Sequence, residues 1–194
     1  METKVKKNSP KAFFGRGNSY YKLKEYEKAI ENYTKAIELA PEYGRAYNNR
    51  GNSYDKLEEY EKAIEDYTKV IELNAENSRA YNNRGNSYYE LGEYEKAIED
   101  YTKVIELDAE ESRAYYNRGN SYDELEEYEK AIEDYTKAIE LDPEYSRAYY
   151  NRGNSYYELE EYKKAIEDYT KAIQINPDDT GAYKMREKAY QAMK

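Results

Sequence analysis

Asparagine recurs at fixed intervals along this chain, and its side-chain amide is both a hydrogen-bond donor and an acceptor. Two rows repeat with a spacing of 34 residues; they consist of Asn18, Asn52, Asn86, Asn120 and Asn154, and of Asn49, Asn83, Asn117 and Asn151 three residues before the last four. A row of such amides can pair with the N–H and C=O groups of an extended peptide. The two rows therefore predict a surface that binds peptide backbone and makes few demands on peptide side chains.

The chain lacks the residues that most catalytic and metal sites need. Its 194 residues include no His and no Cys, which excludes Ser-His-Asp and Cys-His nucleophiles, thiolate zinc sites and disulfides. Adjacent Glu–Asp pairs such as Glu65 and Asp66 diverge by about 100° around a helix and cannot chelate as a unit. We expect these pairs on a solvated face. The sequence predicts a protein that is not an enzyme, with no catalytic or metal-binding residues and no cofactor.

Charge and hydropathy restrict the partners and the location. The net charge of -10 disfavours binding to nucleic acid and to anionic lipid. No apolar run approaches the roughly 20 residues needed to span a membrane, and residues 1–9 lack the apolar core of a signal peptide. We therefore predict a soluble, cytoplasmic protein that has neither a nucleic-acid nor a membrane partner.

The spacing of the asparagines is the period of the whole sequence. Five ungapped blocks start at Pro10, and we number the positions within each repeat from 1 to 34; the blocks are 10-43, 44-77, 78-111, 112-145 and 146-179. In the fourth block, Tyr115, Gly119 and Tyr122 share one face of a first helix, and Tyr128 and Tyr135 share one face of a second. Each block is therefore predicted to form a helix pair, preceded by a flexible leader (1-9) and followed by a C-terminal capping helix (180-194).

Small residues mark the places where the helices must approach closely. Position 8 is Gly and position 20 is Ala in every block, so that large aromatic side chains can pack between the helices. One helix pair cannot bury both of its faces, but stacked neighbouring pairs can. The prediction is an all-α solenoid of antiparallel helix pairs, with about 11 helices.

This pattern resembles the tetratricopeptide repeat family, over about residues 10–193. The matching residues of the third block are Tyr81, Gly85, Tyr88, Gly92, Tyr94, Ala97, Tyr101 and Val104. The resemblance implies a right-handed superhelix with a concave groove lined by the first helices, and an adaptor that binds peptides or protein partners. The chain departs from the family in three ways: Tyr or Phe replaces a Trp-like residue, only Gly92 keeps the Gly between the helices, and Arg precedes the first Gly.

The face opposite the tyrosine stripe would line that groove. Besides the asparagines, it carries basic residues at position 2 and aromatic residues at positions 5 and 12 that could anchor a partner, among them Arg79, Arg113, Arg147, Tyr116, Tyr150 and Tyr157. Position 13 changes from Lys22 and Lys56 to Glu in the last three blocks. We expect a groove that is basic at its N-terminal end and acidic later, and a partner with a basic segment facing blocks three and four. Drift on an unused surface is the alternative.

The asparagine rows have alternative explanations. Asn costs about 0.5 kcal/mol in a helix interior, so an interaction must compensate for it. The rows resemble the asparagine ladder in the repeats of O-linked N-acetylglucosamine transferase, where the amides would contact a ligand. The amides could instead bond between neighbouring repeats or reflect a compositional bias. The groove also resembles part of the family's carboxylate clamp: Asn52, Asn83 and Arg113 fit three of its groups, but two further basic groups are absent.

The sequence also allows a second function. The near identity of exposed positions between blocks fits a structural, consensus-like or designed repeat array that has no native ligand and could self-associate. We expect a monomer or weak self-association. The Arg before each Gly is expected to pack along its stem and to reach a carboxylate on the second helix, such as Asp66 or Glu65.

Overall fold

A computed structural model describes residues 8–194, and this range contains eleven α-helices and no strand. The helices are α1 (Pro10–Lys22), α2 (Tyr26–Leu39), α3 (Gly44–Lys56), α4 (Tyr60–Leu73), α5 (Ser78–Glu90), α6 (Tyr94–Leu107), α7 (Ser112–Glu124), α8 (Tyr128–Leu141), α9 (Ser146–Glu158), α10 (Tyr162–Ile175) and α11 (Thr180–Ala192). The predicted flexible leader lies outside the described residues, except for Asn8 and Ser9.

Several helices begin at a side chain that satisfies their first backbone N–H groups. Ser9 Oγ accepts a hydrogen bond from the N–H of Ala12, and Pro10 occupies the first helical position, where no N–H is needed. Asn77 and Asp179 cap α5 and α11 in the same way. Short polar residues therefore fix the start of these helices at the repeat boundaries.

The two helices of a pair are joined by a turn that requires a left-handed residue. After α1, the N–H of Lys24 donates to the carbonyl of Tyr21 (2.9 Å) and that of Glu25 to the carbonyl of Tyr20 (3.0 Å), which is a Schellman motif. The residue at position 15 has φ of +74° at Gly92. Non-glycine residues adopt φ of 58–61° at the equivalent places, Lys24, Glu58, Glu126 and Glu160. These four turns carry backbone strain that Gly92 avoids.

We expect Glu126→Gly to raise the free energy of unfolding by about 0.5–1 kcal/mol, because a left-handed residue other than Gly costs about 1–2 kcal/mol and the entropy of Gly in the unfolded chain offsets part of that gain. The same change at Lys24, Glu58 and Glu160 should add to it. Guanidinium denaturation followed by circular dichroism measures the shift.

Two variants separate backbone strain from charge. Glu126→Gln removes the same negative charge without relieving φ, so its stability should stay close to that of the parent. Gly92→Ala should destabilise, although no atom of the described part of the chain lies within 4 Å of the added methyl group. A Glu126→Gln variant as stable as Glu126→Gly would show that charge, not strain, is the cause.

The helices group into two compact units, one ending at Glu93 and the other beginning at Tyr94, which we call the N-terminal and the C-terminal unit. In the N-terminal unit, α1 pairs with α2 and α3 with α4, while α3 stacks on α2 and α5 on α4. In the C-terminal unit, α7 pairs with α8 and α9 with α10; α6 packs on α7, α8 on α9, and α10 on α11. The predicted all-α class built from stacked helix pairs is confirmed.

The tyrosine at position 24 fills the space between the helices of each pair. Tyr67 is fully buried, and a Cβ atom added to Gly51 would lie 2.8 Å from its Cε1 atom. Buried tyrosines occupy the same position in the other repeats, at Tyr33, Tyr101, Tyr135 and Tyr169. The predicted packing of an aromatic ring over the position-8 glycine is therefore confirmed wherever the two residues lie in one unit.

The last helix, α11, packs on α10 through two fully buried alanines, Ala182 and Ala189. Its position 8 is Glu187, where the five repeats have Gly. These contacts suit a capping helix, and the capping role of residues 180–194 stays a prediction.

Candidate functional site

Two asparagines at position 9 of the N-terminal unit, Asn18 and Asn52, accept two hydrogen bonds each from within that unit. Asn18 Oδ1 accepts from the hydroxyl of Tyr33 (2.9 Å) and from Nδ2 of Asn49 (2.9 Å) in the next repeat. Asn52 Oδ1 accepts from Tyr67 (2.8 Å) and, at 3.2 Å, from Nδ2 of Asn83 in the following repeat. Their oxygen atoms thus join first helices of successive repeats to each other and to the core.

The same pattern recurs in the C-terminal unit. Asn120 Oδ1 accepts from the hydroxyl of Tyr135 (2.9 Å) and from Nδ2 of Asn151 (2.9 Å), and Asn154 Oδ1 accepts from Tyr169 (2.9 Å). For the oxygens of Asn18, Asn52 and Asn120, the alternative that the amides bond between neighbouring repeats is correct. The bonds also supply the compensation that Asn needs in a helix interior, because each one satisfies a largely buried phenol.

The buried phenols determine which way each amide faces. Burial raises the pKa of Tyr33 to about 12, and it also raises the pKa values of Tyr67 and Tyr169. These hydroxyls therefore stay protonated at neutral pH and donate. Asn18, Asn120 and Asn154 must therefore place the oxygen toward the phenol, so Nδ2 points away from the core. The Tyr67 proton is shared between Asn52 Oδ1 and the Asp55 carboxylate, and the donor Asn83 Nδ2 helps to orient Asn52.

Four of the position-9 amides leave their nitrogen available to a ligand. Within the described chain, Nδ2 of Asn18, Asn52, Asn120 and Asn154 donates to no protein group, and none of these atoms is sealed from solvent. At position 6, the Oδ1 atoms of Asn83 and Asn151 likewise accept no hydrogen bond from residues 8–194. Oriented donors and acceptors therefore alternate along the first helices of each unit.

The remaining predicted site residues lie on the same helices with different exposures. Asn86 is exposed in α5 of the N-terminal unit, whereas Asn117 is half-buried in α7 of the C-terminal unit. The position-2 bases Arg79, Arg113 and Arg147 are exposed. They can reach a ligand beside the asparagine rows without any loss of internal packing.

The three predicted aromatic anchors are half-buried because each packs against another tyrosine. The Tyr116 ring lies 4.8 Å from that of Tyr145, and its hydroxyl accepts from Nδ2 of Asn151 (3.1 Å). Tyr150 packs on Tyr169 at 5.9 Å, and Tyr157 meets the edge of a neighbouring ring at 5.3 Å. They offer rigid ring surface to a partner, and part of each ring belongs to the fold.

The aspartates at position 12 are structural, which sequence reasoning missed. Asp55 Oδ1 accepts from Ser87 Oγ (2.7 Å) and its Oδ2 accepts from the hydroxyl of Tyr67. Asp123 Oδ1 accepts from Ser155 Oγ (2.6 Å). Burial raises the pKa of both carboxyl groups. The alternation of Tyr and Asp at position 12 therefore reflects contacts between repeats in addition to any variation of the groove.

The arginine at position 7 meets a carboxylate of the second helix, as predicted. Arg50 donates to Asp66 through Nε (2.8 Å) and Nη2 (2.7 Å), and to Thr34 Oγ1 of the preceding repeat through Nη1 (3.0 Å). The expectation that both members of each Glu–Asp pair face solvent is wrong for the aspartate: Asp66 is buried and Glu65 is exposed. The arginine makes that burial possible by pairing with the charge.

The side of the first helices that carries the asparagines of positions 6 and 9 is called the asparagine face. On this face of the N-terminal unit, a cleft of about 570 Å³ opens. Its polar lining includes Asn18, Asn48, Asn49, Asn52 and Asn77, and its charged lining consists of Lys22, Arg45 and Arg79. The predicted basic character of the N-terminal end is present here. In the C-terminal unit, position 13 is acidic and exposed at Glu124 and Glu158.

The described residues contain no cluster of three or more acidic, His or Cys side chains that could hold a metal ion. None of the helices between residues 8 and 194 is both long and apolar enough to cross a membrane. What the asparagine face can do chemically is hydrogen-bond an extended chain from fixed donors and acceptors and place charges beside it.

Sequence comparison places the repeats in a known family. The family model described as tetratricopeptide repeat matches residues 10–43, 44–77, 78–110, 112–145 and 146–179, which is most of the chain. No curated protein sequence matches the chain significantly.

Solved structures share the fold over most of the chain. YrrB, described as a TPR protein with an unusual peptide-binding site, is 26% identical with a TM-score of 0.80, and the match covers 94% of each chain. MamA is 26% identical with a TM-score of 0.82 over 89% of this chain and 94% of its own. A tetratricopeptide repeat protein from Parabacteroides merdae ATCC 43184 is 24% identical, with a TM-score of 0.85 over 95% of this chain and 73% of that one.

Proposed function

Because this chain belongs to the tetratricopeptide repeat family, whose fold is typical of protein–protein interaction scaffolds, we propose that it is a non-enzymatic scaffold that holds an extended peptide or partner segment along its first helices. The observation that carries this proposal is that four of the position-9 amides use their oxygens inside the fold and leave their nitrogens without a protein acceptor in the described chain. The oxygens of Asn18, Asn52, Asn120 and Asn154 are held by the core, and their Nδ2 donors are left to a ligand. YrrB supports the proposal as a fold relative described with a peptide-binding site.

The protein would recognise its partner mainly through hydrogen bonds to the partner's backbone. Donors at position 9 can meet peptide carbonyls, and the acceptors of Asn83 and Asn151 can meet peptide N–H groups. In the N-terminal unit Arg79 would position a segment beside the asparagines. In the C-terminal unit Arg113 and Arg147 would do so, and Tyr116, Tyr150 and Tyr157 would add apolar contact. A basic stretch of the partner would suit Glu124 and Glu158. The cytoplasmic location suggested by the composition stays a prediction.

Replacing the amide nitrogen with oxygen tests the donor row without breaking the fold. Asn18→Asp and Asn154→Asp keep an oxygen for Tyr33 and Tyr169, but they remove the outward donors. We expect the double variant to bind peptides selected on the parent chain about tenfold more weakly, because each lost hydrogen bond is worth about 0.5–1.5 kcal/mol. Random peptides are first selected on the parent, and affinities are then measured by fluorescence anisotropy.

The matched control adds the same charge elsewhere. Asn74→Asp and Asn176→Asp change position 31, which is already Asp at Asp108 and Asp142. This control should bind as the parent does. If the parent and the Asn18→Asp, Asn154→Asp variant bind with equal affinity, the amides do not hydrogen-bond the peptide backbone. A parent that selects no peptide would favour the alternative of a structural or designed array without a ligand.

A further inference from the structure

The cleft of the N-terminal unit carries three cations that lack a carboxylate partner. Lys22, Arg45 and Arg79 line it, and none of them forms an ion pair with any residue from 8 to 194. This contrasts with the arginines at position 7, such as Arg50, which is held by Asp66 at 2.7 Å. In a chain with a net charge of -10, three unpaired cations around one cleft are an unexpected concentration of positive charge.

No carboxylate within the cleft opposes that charge. Its described lining is asparagine, aromatic and basic, and it contains no Asp or Glu. Asp55, whose charge acts on the lining residue Tyr21, is half-buried and accepts hydrogen bonds from Tyr67 and Ser87. Its single negative charge offsets only part of the charge of the three cations, and the remaining positive potential is left for a ligand to neutralise.

The walls of the cleft hold the cations near an aromatic surface. The guanidinium carbon of Arg45 lies 5.3 Å from the centre of the Phe14 ring, which is itself buried against Tyr33 and Tyr43. Tyr21 adds a half-buried ring to the lining. A guanidinium placed over a ring keeps its edge N–H groups available for a carboxylate.

We propose that the cleft of the N-terminal unit binds an acidic peptide segment, with side-chain carboxylates on Lys22, Arg45 and Arg79 and with the backbone on the asparagine donors. This inference rests on the proposed peptide-binding function and specifies the ligand for one unit. It differs from the basic segment expected at blocks three and four, which was based on the glutamates at position 13. In block three the cleft is lined by Arg79 and not by Glu90, so an acidic segment suits α5 as well as α1 and α3. A partner segment would therefore carry its acidic residues where it meets α1, α3 and α5.

Three labelled peptides test the charge requirement. Each has about ten residues, enough to cross the cleft in extended form, and the peptides differ only in carrying Glu, Gln or Lys at the same alternate positions. We expect the Glu peptide to bind the full chain at least about tenfold more tightly than the Gln peptide, which corresponds to about 1.4 kcal/mol. A Glu peptide with an amidated C-terminus should bind as well as one with a free C-terminus, because the side chains supply the carboxylates.

Matched variants locate the charge. Lys22→Gln, Arg45→Gln and Arg79→Gln together should abolish the preference for Glu. Lys35→Gln, Lys184→Gln and Lys188→Gln remove the same charge from exposed positions outside the cleft and should preserve it. Equal loss in both triple variants would overturn the inference by showing a general effect of net charge, and dependence on a free C-terminus would overturn it in favour of a terminal-carboxylate site.

The outcome also separates this inference from the proposed function. Equal binding of the Gln and Glu peptides, with weaker binding to the Asn18→Asp and Asn154→Asp variant, would refute the acidic ligand and keep the peptide-binding scaffold. Failure of every peptide to bind, including those from the random selection, would refute both.

Discussion

Replacing Gly153 by Ala is expected to destabilise the C-terminal unit by about 1–3 kcal/mol, the usual cost of forcing an extra methyl group into a packed core. The added Cβ atom would lie 2.8 Å from Cε1 and 3.0 Å from Cδ1 of Tyr169. That ring cannot move aside easily, since it is fully buried and its hydroxyl is bonded to Asn154 at 2.9 Å. The helical preference of Ala over Gly, about 1 kcal/mol, should be outweighed.

The chain provides its own control for this prediction. Gly15 also lies inside a first helix, α1, but a Cβ atom there would meet no atom of residues 8–194 within 4 Å. Gly15→Ala should therefore stabilise by up to about 1 kcal/mol, because only the gain in helix propensity remains. Opposite signs for the two Gly→Ala changes would isolate the packing effect from the backbone effect.

The measurement must allow for the modular nature of repeat arrays, whose unfolding need not be two-state. Hydrogen exchange of the α9 and α10 amides reports the local loss directly, alongside the guanidinium midpoint. In a Tyr169→Leu background, Gly153→Ala should cost less, because the ring that it strikes is gone. A cost unchanged by Tyr169→Leu would contradict steric contact with that ring as the cause.

The sequence was sufficient to predict what depends on periodicity alone. The helix pairs, the stripe of tyrosines and the glycines beneath them follow from residues that recur every 34 positions, since helical spacing determines which side chains share a face. Tyr67 over Gly51 is one such contact. The arginine–carboxylate pairs were also predicted, because an arginine beside a packed stripe needs a counter-charge within reach.

What could not be predicted depends on distances between helices. Position 12 was expected on the face that lines the groove, but Asp55 at that position accepts through Oδ1 from Ser87, 32 residues later in the chain. Asn18 was expected to serve either a ligand or its neighbours; its oxygen contacts the neighbouring repeat and its nitrogen remains available. Spacing identifies the face on which a side chain lies, but it does not show which atom of an amide another repeat will reach.

The ion pair between Arg152 and Asp168 ties three helices of the C-terminal unit together. Arg152 donates to both carboxylate oxygens of Asp168 at 2.7 Å, and at 2.9 Å to Thr136 of the preceding repeat. The side chains are only 16% and 8% exposed. Removing one partner of this pair should destabilise the fold mainly because the other would stay buried as an unpaired, poorly solvated charge.

We expect Arg152→Met to lower the free energy of unfolding by about 3–5 kcal/mol, because Asp168 would stay buried without its partner. Burial already raises the pKa of Asp168, and the guanidinium opposes that rise. Without Arg152, the folded variant should bind a proton at a higher pH than the unfolded chain does. Lowering the pH from neutral toward this raised pKa should therefore recover part of the lost stability.

Two companion variants distinguish a buried charge from lost packing. Asp168→Asn with Arg152 intact reproduces the first repeat, where Arg16 Nε donates to Asn32 Oδ1 at 3.3 Å, and it should cost less than Arg152→Met. Combining Arg152→Met with Asp168→Leu should restore most of the stability, since no charge is then left in the interface. If the double variant is as unstable as Arg152→Met alone, the arginine contributes through its stem and its contact with Thr136, and the ion pair is not the principal tie between α8, α9 and α10.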